Sequence, residues 1–176
     1  MTRTFFRTAA ALALLSTGQL AQAATAKPCI SQPELRGMVA YIMPSVMSSV
    51  IERCRASLPA GSAMLTRGTQ VVTELQAGQS AAFPMARQAF AKFSDDGNKD
   101  GAADLFQSMP EDTLKPIIES AITKELTASV TVKDCPDIDR VFGTLQPLPA
   151  SNFVDLVTQV MTIATRDNKQ MSVCAA

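Results

Sequence analysis

From Gln32 to about residue 57, the apolar residues Leu35, Met38, Val39, Ile42, Val46, Val50 and Cys54 recur every three or four positions. That spacing marks one face of an α-helix. Glu34, Gly37, Tyr41, Ser45, Ser48, Glu52 and Arg55 fall on the opposite side, so the helix reads as amphipathic. Ser31-Gln32-Pro33-Glu34 opens it as a capping box, with Ser31 as N-cap and Glu34 reaching back to it. Pro44 removes one backbone donor and crowds the carbonyl of Ala40, which predicts a kink. The segment LPAGS, Leu58 to Ser62, ends the helix.

The same period continues downstream. A second helix is predicted over about 62–77, with Met64, Leu65, Val71, Val72 and Leu75, stopping at Gly78. A third, over about 80–94, carries Phe83, Ala86, Phe90 and Phe93. Ser108-Met109-Pro110-Glu111 repeats the capping-box signal, and Leu114, Ile117, Ile118, Ala121, Ile122 and Leu126 follow it. The β-branched tail Ala128–Val132 should fray. Asp134 is placed to cap a short helix over about 136–145, and Ser151 a last one. That last helix sets Phe153, Leu156, Val157, Val160, Ile163 and Ala164 on one face. Sustained alternation with period two appears nowhere. The expectation is an all-α, single domain of five to seven helices, orthogonal or bundle-like.

The first residues read differently. Arg3 and Arg7 precede the short apolar run Ala9–Leu15, and Ala21-Gln22-Ala23 has the small-x-small form of a cleavage site. The expectation is a signal peptide over 1–23 and a mature domain over 24–176, exported to the periplasm or secreted. The apolar run is too short for a membrane-spanning helix, and the mature chain contains no transmembrane candidate.

Composition narrows the function. With Arg3 and Arg7 set aside, 14 basic residues face 16 acidic ones, leaving no positive excess for nucleic acid. The chain has no tryptophan and one tyrosine, so platforms for stacking bases or sugars are scarce. It has no histidine, which removes Ser-His and Cys-His nucleophile pairs and His-ligated zinc. Carboxylate-only hydrolysis stays open as an alternative, with Glu111, Asp112, Asp134, Asp137 and Asp139 as candidates. All five lie at helix starts, where capping accounts for them, and the chain is read as not an enzyme. Met38, Met43 and Met47 run along the first helix and read as core filler.

One stretch carries ligand chemistry. Asp96, Asn98 and Asp100 fall two apart, with Gly101, the carbonyl of Ala102 and Asp104 after them. Numbered from Asp96, residues 96–107 resemble an EF-hand loop and imply calcium held by Asp96, Asn98, Asp100, Ala102 and Asp104. The loop departs from that family at Gln107, where a bidentate glutamate is usual, and at Ala103, where a large aliphatic is usual. A polar turn built by Asp, Asn and Gly is the favoured reading, with weak calcium binding as the alternative and no cofactor otherwise.

Cys29, Cys54, Cys135 and Cys174 make an even set in an exported chain, which predicts two disulfides. A helix from 32 to 57 holds Cys29 and Cys54 more than about 30 Å apart, beyond the roughly 7 Å a disulfide spans. Each should therefore pair with Cys135 or Cys174, the choice between the two crossed pairings being open. The sum is a non-enzymatic, disulfide-stapled helical protein that works by binding a partner, most plainly another protein.

Overall fold

The computed structural model describes residues 29–97, 102–145, 147–165 and 173–174, with only the backbone of 94–97, 102–103 and 105. Residues 1–28, and with them the proposed signal peptide, lie outside the described residues. Six α-helices follow one another: α1 Gln32–Cys54, α2 Ala63–Gly97, α3 Ala102–Ser108, α4 Glu111–Ala128, α5 Cys135–Leu145 and α6 Ala150–Ala164. A single 3-10 turn, Val132–Asp134, leads into α5. The fold is all-α.

α1 starts where the sequence predicts. The Ser31 amide and hydroxyl both donate to the Glu34 carboxylate, at 2.7 and 2.8 Å. The helix then runs through Pro44, which is fully buried, to Cys54. It is the central helix, and its expected polar side is not a solvent side. Glu34, Gly37 and Tyr41 are buried beside Leu35, Met38 and Val39. The reason is that α1 packs against α2, α4 and α6 at once.

α2 corrects the largest expectation. The two predicted helices over 62–77 and 80–94 are one helix of 35 residues that passes through Gly78 and Pro84. A mid-helix glycine costs only about 1 kcal/mol, which packing along α1 offsets. The side chain of Gln79, next to that glycine, donates to the Tyr41 carbonyl at 2.9 Å. α1 and α2 lie antiparallel: Ile51 meets Gly68, Gly37 meets Ala82 and Met85, and Glu34 meets Lys92.

The remaining helices pack on this hairpin in three groups. Leu114 and Ile118 of α4 join Leu35, Tyr41, Phe83, Ala86 and Phe90. Phe142 and Cys135 of α5 join Met47, Val50, Ile51, Met64 and Val72 at the other end. Val154 of α6 meets Val39 and Leu75. Three helix starts differ from the sequence reading. α4 begins at Glu111 behind Pro110 rather than at a cap on Ser108, and α6 begins at Ala150 behind Pro149 rather than after Ser151. Asp134 does not cap α5; its carboxylate accepts the Thr131 amide and hydroxyl, both at 2.8 Å, and closes the 3-10 turn.

Both disulfides cross between the ends of α1 and the C-terminal part. Cys54 bonds Cys135, and Cys29 bonds Cys174. Beside the second bridge, the Cys174 amide donates to the Ile30 carbonyl at 2.9 Å, and Ile30 pairs with Val173 in a parallel bridge.

Two measurements test this packing. At Gly37 a Cβ would clash with the Met85 side chain, whereas at Gly78 it would meet nothing within 4 Å. Gly37→Ala should therefore destabilise the domain by about 1–3 kcal/mol, and Gly78→Ala should stabilise it by up to about 1 kcal/mol, read by urea unfolding. Equal effects at the two sites would refute the close α1–α2 contact. Separately, removing the Cys54–Cys135 bridge with the paired serine variant should cost about 2–5 kcal/mol, and a thermal melt unchanged by it would show the bridge is not structural.

Candidate functional site

The carboxylates that could have formed a catalytic pair are each held by a local partner. Glu111 pairs with Lys115 at 3.1 Å, one turn along α4. Asp137 pairs with Arg140 at 2.9 Å. Asp139 accepts the backbone amide of Met64 at 2.7 Å, and so caps the start of α2 from α5. Asp134 titrates below the usual carboxylate range because it accepts the Thr131 amide and then the Thr131 hydroxyl. Asp112 is exposed in the first turn of α4.

The loop suggested for calcium falls largely outside the described residues. Asn98, Asp100 and the side chains of Asp96 and Ala102 are among those not described. The backbone of Asp96 belongs to the last turn of α2, Ala102 opens α3, and Asp104 is exposed in α3's first turn. Among the described residues, no group of three or more acidic, cysteine or histidine side chains gathers to hold a metal. Met38 and Met47 are buried and Met43 is half-buried, packed among Val39, Leu75 and Val154. The methionine stripe is core.

The buried polar groups join helices. Glu34, 6% exposed, accepts Lys92 of α2 at 2.7 Å, and the same ammonium donates to the Cys29 carbonyl. Burial works to raise the Glu34 carboxyl, but Lys92 and the Ser31 amide and hydroxyl outweigh it and hold the group below its ordinary range. Tyr41 donates to Glu119 of α4 at 2.9 Å, and the Gln79 amide reaches the same carboxylate at 3.3 Å. Burial first, then the hydrogen bond and charge of Glu119 and the charge of Glu111, push the Tyr41 phenol well above its ordinary range. Arg87 reaches the carbonyls of Phe106, Gln107 and Met109, closing the C-terminal end of α3. These contacts leave no buried side-chain nitrogen or oxygen without a partner among the described residues.

Two surface features remain. A groove of about 530 Å³ opens between α1, α2 and the start of α6. Its floor is made of small residues, including Gly37, Ala40, Gly78 and Ala82, and Arg36 and Glu74 stand among its lining residues. Arg36 is held there by Asp155 of α6.

The second feature is the outer face of α6. The periodicity gathered Phe153, Leu156, Val157, Val160 and Ile163 on one face, the pattern of a core stripe. The structure instead buries Val154 and Thr158, half-buries Phe153, Val157 and Met161, and turns Leu156, Val160 and Ile163 outward. Those three are 38%, 56% and 65% exposed. They sit at i, i+4 and i+7 and form one apolar stripe. Thr158 is accommodated inside because its hydroxyl donates to the Val154 carbonyl at 2.8 Å. Asp155 and the Gln32 amide bonded to Thr162 fix the rotation of α6 about its own axis. The sequence signal for this face was present as apolar residues all round α6, which a one-sided periodicity overlooks.

Comparison with models of known families finds no match, and no curated protein or solved structure matches the chain either.

The Glu34 network sets an acid limit. Its lowered pKa contributes stability that is complete above the unfolded value near 4.5 and is lost as pH falls through the lower folded value. Unfolding free energy should therefore drop from about pH 4.5 downward, and Glu34→Gln should flatten that part of the profile while costing about 2 kcal/mol at neutral pH. Parallel pH–stability curves for the two proteins would rule this out.

Proposed function

We propose that the chain is an exported, non-enzymatic helical protein that acts by binding another protein, with the outer face of α6 as the contact surface. The observation that carries this reading is the row Leu156, Val160 and Ile163, exposed together on one side of a helix. A contiguous apolar row on a surface is a mark of a contact site, because leaving it in water forfeits its burial energy. Further support comes from the carboxylates, whose partners give each a structural role. Export rests on the pattern of residues 1–23 and agrees with two disulfides. No helix among the described residues is long and apolar enough to cross a membrane.

The reading is tested in the cell that makes the protein. A photoreactive residue at Gln159, beside Val160 on the exposed side, should form protein adducts on irradiation. The same residue at Arg53, exposed near the end of α1, should form few. Val160→Glu should weaken the Gln159 adducts at least tenfold, about 1.4 kcal/mol or more, with an unchanged thermal melt. Adducts that do not depend on Val160, or none at all, would overturn the proposal.

A further inference from the structure

We propose that the partner of the α6 face is a second copy of this chain, joined through an antiparallel α6–α6 contact about a two-fold axis near Val160. The inference rests on the reading of α6 as a contact face, and charge is what selects the occupant.

A two-fold contact sets each surface against itself, so a charged group near the axis meets its own sign. A face fit for that contact must be apolar with an uncharged border. α6 meets the requirement: of its 15 residues, Asp155 is the single ionisable one, and Arg36 of α1 neutralises it from the flank. The other exposed residues along the helix are Ser151, Asn152, Leu156, Gln159, Val160, Ile163 and Ala164. The remaining exposed apolar side chains of the longer helices do not meet it. Ile117 and Leu126 share α4 with Glu111, Lys115, Glu119, Lys124 and Glu125, and Val141 follows Asp137, Asp139 and Arg140 on α5.

The antiparallel direction follows from two points. It lays the positive N-terminal end of each α6 beside the negative C-terminal end of the other. It also sets Leu156 of one copy against Ile163 of the other, with the two Val160 side chains meeting at the axis. One helix of four turns, about 22 Å long, buries less than a standard interface, so the pairing is weak and depends on concentration.

Sedimentation velocity of the mature chain from 10 µM to 1 mM tests this. A monomer–dimer equilibrium is expected across the range. Val160→Glu should shift it to monomer by at least tenfold in dissociation constant, while far-ultraviolet circular dichroism and the melt stay unchanged. Ile117→Glu should leave the equilibrium where it was. Adducts from the photoreactive residue at Gln159 should have twice the mass of the chain. A chain monomeric at 1 mM whose Gln159 adducts contain a different protein would overturn the self-pairing and leave α6 as a contact face. A monomer without adducts would overturn both, and a dimer indifferent to Val160→Glu would place the contact elsewhere and overturn the inference.

Discussion

The close antiparallel contact between α1 and α2 is the constraint on which the rest of the molecule depends. At Gly37 the two backbones approach so nearly that a single added carbon would meet the Met85 side chain, with Ala82 and Ala86 beside it. That approach buries α1 on its glycine side, which an ordinary side chain would have held away. It also makes α2 continuous, because Gly78 and Pro84 lie on a helix supported along its length by a neighbour. α4 and α6 then pack on α1, and α5 on the start of α2, so each outer helix takes its position from the hairpin.

Polar contacts decide how those outer helices are set. Tyr41, Gln79 and Glu119 join α1, α2 and α4 at one point, and Lys115 lies over the Phe83 ring 4.7 Å from its centre. Asp139 caps α2 from α5, next to the Cys54–Cys135 bridge that ties α5 to the end of α1. A hydrogen bond between helices is directional where apolar packing is not, so these pairs select one rotation among several that would bury similar area. For α6, the Arg36–Asp155 pair and the Gln32–Thr162 bond do the same. They turn Thr158 inward and leave Leu156, Val160 and Ile163 in water, a choice hydrophobic burial alone would not make.

Local signals were legible wherever a few neighbouring residues settle the structure. Ser31 and Glu34 start α1 because their side chains and amides meet within one turn. The helical class follows from apolar spacing, and the spread of Cys29 and Cys54 along one helix excluded their pairing with each other. Which of the remaining cysteines each one takes depended on where α5 and the C-terminal residues come to lie. The starts of α4 and α6 sit a few residues from their sequence signals, since Pro110 and Pro149 precede the first turn in place of a polar cap.

The sequence by itself determined the all-α class, the first helix and its cap, and the existence of two crossed bridges, because each rests on periodicity, near neighbours or chain length. Tertiary structure alone decided that Glu34, Gly37 and Tyr41 face inward, that α2 runs unbroken, and which side of α6 meets solvent. In a helix with apolar residues on several sides, periodicity lists the faces able to be buried. The neighbours present, and the ion pairs and hydrogen bonds they offer, choose among them.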